Sequence, residues 1–320
     1  PSQSLLKFLE RRRPGFCGLV PIASLHDRKD IATVGDGQRV AVRLQTSIIA
    51  GMPGRDRSRR YHDRVARRYD AIYDDPYWHF HDELAWRAIK PHLPRDPTAP
   101  CADLGCGTGK WGLKLLKSGF PVTFVDSSAA MIEQTRAKLA ALGAKARRAR
   151  LLVGDIVHLA DLPENTFALL LAMGDPLSIC RDPGSAVREM FRICAPGGIV
   201  IATADNKLAA LDHFVQRGNL DMLEQFIRTG RTHWLTPDPR EQFELTMFTP
   251  ASLRNLFERS GFSVVQVAGL PILPARNNRR LLEQPDALNR LLQMESELAR
   301  DPASAGRASH LRITARKPEP

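Results

Sequence analysis

Long apolar runs are missing from this 320-residue chain; none approaches the ~18 residues that a membrane-crossing helix needs. No positively charged start leads into an apolar stretch, so nothing predicts a secretory signal. Paired cysteines are missing too. The five present, Cys17, Cys101, Cys106, Cys180 and Cys194, are odd in number and scattered, with no Cys-x-x-Cys spacing. That argues against a disulfide framework or a zinc site and predicts a reducing, cytoplasmic setting. No internal repeat is present, so a repeat architecture is not expected.

Negative charge is scarce in one segment only. Residues 1–60 hold 12 Lys/Arg against 5 Asp/Glu, which supplies +7 of the net +11. Basic proteins attract nucleic acid, anionic membranes or acidic ligands. Here the excess is confined to one terminal segment and describes that segment rather than the body of the chain. Residues 1–58 are expected to form a poorly ordered or loosely docked extension. A nucleic-acid-binding arm is the alternative; an organelle-targeting remnant is disfavoured by Glu10, Asp27, Asp30 and Asp36. With 43% hydrophobic residues, the remaining 59–320 can bury one full core.

What the chain does have is an alternation of short apolar strands and amphipathic helices. "YHDRVARRYDAIYDD" carries Val65, Tyr69, Ile72 and Tyr73 at helical spacing, and a second helix is expected over 82–90. After the proline-rich "PHLPRDPTAP", strands are predicted at 101–104, 122–125, 151–153, 167–172 and 199–202, with helices at 110–117, 129–142 and 185–194. That order means β-α-β units and a parallel sheet covered on both faces. The alternation breaks over 207–248, which reads as a lid-like insertion. "FTPASLRNLFERSGF" then has Thr249 as N-cap, Pro250 in the first turn and Gly261 as stop. A long helix over 279–300 lies between two last strands, "SVVQVAG" and "HLRITARK", which complete a sheet of seven.

Gly105, Gly107 and Gly109 follow the first strand at alternate positions. Glycine permits φ > 0 and lets a ligand lie against the main chain, and the helix behind offers unpaired N–H groups. Asp126 ends the second strand 21 residues after Gly105, where a carboxylate can accept from both ribose hydroxyls. Asp155 closes the third strand, near where an adenine amino group would lie.

Asp103-Leu104-Gly105-Cys106-Gly107-Thr108-Gly109 is an acidic residue followed by G-x-G-x-G, and with it the chain resembles the class I S-adenosylmethionine-dependent methyltransferases over 61–204, more weakly from "FTPASLRNLFERSGF" onward. The resemblance implies a doubly wound, seven-stranded, mostly parallel Rossmann-like sheet, S-adenosylmethionine as cofactor, and methyl transfer. It implies cofactor contacts from Asp103, Gly105, Cys106, Gly107 and Gly109, from Asp126 and Ser127, and from Asp155 and Ile156. It also implies that Met131 packs on adenine and that Ala172, Met173 and Gly174 line the methionine part. A dinucleotide fingerprint is one residue longer and seats a pyrophosphate. Asp103 would repel a phosphate and suits the ammonium of the methionine moiety.

Tyr69 and Tyr73, four apart on one helical face, are the candidates for closing the cofactor pocket. For chemistry on the acceptor the candidates are His79, Asp175 and His233, with Trp234 in the insertion suiting a planar acceptor. His79 and His81 are two apart and point away from each other on a helix, so no metal pair is expected. The expected acceptor is a small molecule. An RNA-modifying enzyme is the alternative, prompted by the basic extension. Amino-directed nucleic-acid enzymes carry Asp/Asn-Pro-Pro-aromatic after the fourth strand, and Asp175-Pro176-Leu177-Ser178 lacks the second proline and the aromatic. A nicotinamide-dependent oxidoreductase is disfavoured by the short loop and Asp103.

Overall fold

The computed structural model describes residues 44–46, 56–234 and 242–320; the expectation for the rest of the 1–58 extension lies outside them. A short strand, β1 (Leu44–Thr46), comes first, followed by helix α1 (Asp56–Val65) and the single turn α2 (Tyr69–Ile72). Helix α3 (Pro76–Ile89) starts well before the expected 82–90. Its start is a capping signal rather than a periodic one: the Asp75 carboxylate accepts from the Trp78 N–H at 3.0 Å, and Pro76 occupies the first turn.

The alternating part runs β2 (Cys101–Leu104), α4 (Lys110–Lys117), β3 (Val122–Asp126), α5 (Ala129–Ala140), β4 (Ala149–Val153) and β5 (Phe167–Ala172). Then come α6 (Pro176–Ile179), α7 (Pro183–Ile193) and the long strand β6 (Cys194–Asp205). The insertion holds α8 (Leu211–Gln216), α9 (Leu220–Thr229) and an antiparallel pair, β7 (Arg231–His233) with β8 (Glu244–Thr246). The chain continues as α10 (Pro250–Arg259), β9 (Ser263–Leu270), α11 (Arg279–Leu282), α12 (Pro285–Leu298) and β10 (His310–Arg316). Thr249 and Ser252 form a capping box at the start of α10. The single helix expected over 279–300 is two helices, because Pro285 has no N–H to continue the first and restricts the residue before it.

All seven expected strands lie in one sheet, ordered β1-β4-β3-β2-β5-β6-β10-β9, with β1 as an eighth at the edge. Pairing is parallel from β1 to β6, and β10 runs antiparallel to both β6 and β9. From β2 the chain winds outward through β3 and β4, then returns to β5 on the other side of β2. The reversal opens a crevice at the carboxyl ends of β2 and β5.

Side-chain alternation divides the core into two layers. Cys101, Val122, Phe124, Leu169 and Leu171 pack with α3, α4, α5 and α12 on one face. Ala102, Leu104, Val125, Leu170 and Ala172 pack with α7 and α10 on the other. The direction set by this alternation decides below which residues reach the crevice. No helix among the described residues is long and apolar enough to cross a membrane.

Candidate active site

One continuous cavity of about 1200 Å³ opens over the crevice. Its floor is the loop between β2 and α4, where Gly105, Gly107 and Gly109 have φ of +68°, +53° and +85°. Gly105 is doubly constrained: a Cβ there would stand 2.7 Å from Pro176 Cβ as well as in the left-handed region. The Asp126 carboxylate at the end of β3 ties the loop down, accepting from the N–H groups of Gly107 and Ser128 at 2.8 Å each. Burial raises its pKa, while those two bonds favour the charge. Asp126, Ser127, Asp155 and Ile156 form one wall.

Three polar ties hold the N-terminal helices over that floor. Asp63 of α1 accepts from Ser128 Oγ at 2.5 Å. Asp70 of α2 accepts from Thr108 Oγ1 and pairs with Lys138, both at 2.5 Å. On α3, Asp82 pairs with Lys110 at 2.6 Å. Tyr69 and Tyr73, with ring centroids 4.9 Å apart, form the roof, and burial pushes both phenols up.

The deep end is aromatic and acidic. Trp78 and His81 of α3 meet Met173, Gly174 and Asp175 after β5, Asp205 at the end of β6, and His310 at the start of β10. The ring centroids of Trp78 lie 4.9 Å from Tyr73 and 5.2 Å from His81. His310 Nδ1 is 2.8 Å from Asp175 Oδ2, close enough for an ion pair although off the hydrogen-bonding line, and 3.9 Å from Asp205 Oδ1. Burial and the neighbouring Asp175 push Asp205 up to about 7. Burial works against charge on Asp175 as well, but His310 outweighs it and holds that carboxyl below its usual range. Atoms of Asp175, Asp205 and His310 all lie within 4.8 Å of one another, a spacing that could also hold a metal ion.

A family model described as a methyltransferase domain matches residues 101–198, the span from β2 into β6 that carries the glycine loop, Asp126 and Asp155. The chain is a class I S-adenosylmethionine-dependent methyltransferase. It is 24% identical over 220 residues to the tRNA 5-carboxymethoxyuridine methyltransferase of Escherichia coli K12, covering 68% of this chain and 79% of that protein. In fold it is similar to a SAM-dependent methyltransferase from Methanosarcina mazei, with a TM-score of 0.53 at 18% identity, covering 73% of this chain and 98% of that one. A SAM-dependent methyltransferase from Thermotoga maritima gives a TM-score of 0.50 at 16% identity, covering 81% and 98%.

Of the residues expected to serve this methyltransferase, the cavity brings together Tyr69, Tyr73, Gly105, Cys106, Gly107, Asp126, Ser127, Asp155, Ile156, Met173, Gly174, Asp175 and His233. It leaves out five. Asp103 shares the face of Cys101 and lies fully buried beneath α4, where it accepts from the Gly112 N–H at 2.7 Å. Strand alternation turns it away from the crevice. Met131 is fully buried between α5 and α1, beside Tyr61 and Val65, rather than in the cavity wall. Ala172 points into the α7 layer, and Gly109 lies behind the loop against Thr135. His79 is exposed on α3 and pairs with Asp74 at 2.8 Å, outside the site.

His81 is among the possible bases that residues 69–83 offer by sequence, whereas three other lining residues of the deep end, Trp78, Asp205 and His310, carry no expectation from it. Asp205 and His310 sit at strand ends far from the recognised motifs. The one local signal for His310 is its position at the start of a strand; that start lies beside the carboxyl end of β6 because β10 runs antiparallel to it, and seeing this requires the strand order.

Proposed function

We propose that this methyltransferase acts on a compact small-molecule acceptor held at the deep end of the cavity, with S-adenosylmethionine along the floor. The observation that carries this reading is the continuous cavity of about 1200 Å³, larger than the roughly 300–1,000 Å³ of a one-ligand pocket, with Trp78 and Tyr73 among the residues lining its inner end.

The residues present fit the cofactor. Asp126 keeps unused acceptor capacity beyond its two backbone bonds, suited to ribose hydroxyls, and Asp155 and Ile156 flank the adenine position. Gly107 leaves the floor bare: a Cβ there would stand 3.8 Å from the Tyr69 ring, inside the space a ligand would fill. Tyr69 and Tyr73 cover the methionine end. When bound, S-adenosylmethionine supplies a strongly electrophilic methyl group. The protein's work is then alignment: Trp78, Tyr73 and Gly174 set where an acceptor atom can stand, and positioning of this kind supplies several kcal/mol.

A second reading is favoured by one feature. Arg57, Arg59 and Arg60 of α1, Arg181 and Arg231 are exposed around the mouth, while the inner wall carries Asp126, Asp175 and Asp205. Such segregation suits a polyanion outside and a cationic cofactor inside. Together with the E. coli relative that acts on tRNA, it supports a nucleoside of RNA as acceptor.

Incubating the chain with methyl-labelled S-adenosylmethionine and separate RNA and metabolite pools distinguishes the two. Label in the metabolite pool is the expected result; label confined to RNA would replace the first reading with the second.

A further inference from the structure

At the deep end, polar atoms are buried with no hydrogen-bond partner among the described residues: Trp78 Nε1, His310 Nε2 and Asp175 Oδ1. All three residues line the cavity, and Trp78 and His310 are only 8% and 4% exposed. Buried donors and acceptors are nearly always matched, and unmatched ones facing a cavity call for a ligand group.

The other nitrogen of His310 defines what Nε2 can do. Nδ1 faces two carboxylates, Asp175 at 2.8 Å and Asp205 at 3.9 Å, which favours the imidazolium and makes Nε2–H a donor. Other elements also face the ring. His81 of α3 lies at 5.8 Å between centroids and Trp78 at 6.4 Å, and the Arg276 guanidinium acts on it from behind Trp78. Burial opposes the charge, Asp175 and Asp205 favour it, and the balance lifts His310 to about 9.

Backbone geometry shows that this arrangement is built rather than incidental. Asp175 adopts φ +62° and ψ +35°, a left-handed conformation unusual for a non-glycine residue. The N–H groups of Gly174 and Asp175 both donate to Thr203 Oγ1 at 3.0 Å, fixing the turn that aims the carboxylate at His310.

We propose that Trp78 Nε1–H and His310 Nε2–H form a two-donor site for an oxyanion, and that the methyl acceptor is the oxygen of a carboxylate or a phenolate seated there. The proposal rests on the cavity being the cofactor and acceptor site. Asp175 and Asp205 are positioning residues that keep His310 cationic, and Asp175 Oδ1 is free to accept from a neighbouring hydroxyl of the acceptor. No base is then required. A lone pair of the oxyanion forms the O–CH3 bond as the methyl–sulfur bond breaks, and the pair from that bond stays on sulfur, cancelling its positive charge.

The test uses the full chain with S-adenosylhomocysteine bound and two probes, 4-nitrophenol, which is coloured when ionised, and benzoate. The expected result is that bound nitrophenol ionises about one pH unit or more below its value in solution, and that benzoate competes with it. His310→Gln should abolish the shift. Trp78→Phe, which keeps a ring and loses the N–H, should at least halve it. Asp175→Asn, a residue that tolerates the left-handed backbone, should weaken the shift and move the NMR titration of His310 downward. Tighter binding of nitrophenol marks the phenolate class and tighter binding of benzoate the carboxylate class. Nitrophenol bound in its neutral form, a shift unchanged in both His310→Gln and Trp78→Phe, no binding of either probe, or tight Mn²⁺ binding that needs Asp175, Asp205 and His310 would each overturn the proposal. Calorimetry with S-adenosylhomocysteine keeps the two readings apart: variants that still bind it are folded, whereas failure of the unaltered chain to bind it defeats the cofactor reading itself.

Discussion

At the glycine-loop end of the cavity, the floor and its carboxylates come from loops that leave three neighbouring parallel strands, all within residues 105–156. At the deep end, Trp78, Asp175, Asp205 and His310 arrive from four elements, the outermost 232 positions apart. The first end is held by backbone: φ > 0 at three glycines, N–H groups on Asp126, and close helix-to-strand packing. The second is held by side chains, with the buried His310 ring 2.8 Å from Asp175 and 3.9 Å from Asp205. Substitutions should therefore act differently at the two ends, by collision and lost backbone bonds at one and by altered protonation at the other.

The largest effect is expected where backbone packing is tightest. A Cβ at Gly112 would lie 2.3 Å from Phe124 Cε1 and 2.9 Å from Asp103 Oδ2. Gly112→Ala should cost about 3 kcal/mol of stability, the upper part of the overpacking range, read as a lower denaturant midpoint with unchanged slope. A midpoint equal to the parent's would mean that α4 can lift off the sheet, and the rigidity assigned to this end would be lost.

Next is Asp126. Alanine there removes the acceptor of the Gly107 and Ser128 N–H groups as well as the proposed ribose partner. S-adenosylhomocysteine affinity should fall by about 1.5–3 kcal/mol, roughly 10- to 150-fold, as for other hydrogen bonds to a charged group. Calorimetry checks it, and an unaltered Kd would remove Asp126 from the cofactor's wall.

The contrast also explains what could be read from the amino-acid order. Asp103, the three glycines, Asp126 and Asp155 are visible because a parallel strand, its exit loop and the next helix are contiguous, so function and fold share one local pattern. Seven strands and the broken alternation after β6 followed from the same periodicity. The direction of Asp103 did not, since four residues of strand do not reveal which face each side chain takes until the flanking helices are placed. The burial of Met131 was hidden for a related reason: α1 docks on α5 and covers it, and docking between helices leaves no short-range trace. The deep end was hidden most completely, because His310 reaches Asp175 only through the antiparallel insertion of β10 beside β6.

Protonation separates the ends again. Burial pushes Asp103 up to about 7, above its unfolded value near 3.9. A carboxyl whose folded pKa is raised binds a proton that the unfolded chain has released, so stability falls as pH rises from about 4 to 7. Asp103→Asn keeps an acceptor for the Gly112 N–H and removes the charge. It should flatten that fall by about 1–2 kcal/mol, a part of the 1.4 kcal/mol per unit that linkage allows, measured by urea melts at pH 4.5 and 7.5. His310 has the same sign in a higher window. Its folded pKa is raised, so its contribution is complete below about 6.5 and is lost as pH rises through about 9. Melts extended to pH 9.5 should show a second decline that Asp175→Asn reduces; a profile flat between 7.5 and 9.5 would remove the imidazolium from the deep end.

The smallest effect belongs to a histidine that looked functional. His79 and His81 are two residues apart on α3, about 200° around a helix of 3.6 residues per turn, so burial of one sends the other to solvent. The structure buries His81 against Trp78 and His310 and leaves His79 exposed beside Asp74. An exposed pair of this kind contributes little, and His79→Ala should change stability by less than about 0.5 kcal/mol with S-adenosylhomocysteine affinity unaltered. His81→Ala empties space next to the two donors and should be felt in both measurements. If the order were reversed, with His79 the sensitive residue, α3 would have to be rotated by half a turn, and Trp78, three residues before His81, would leave the cavity with it.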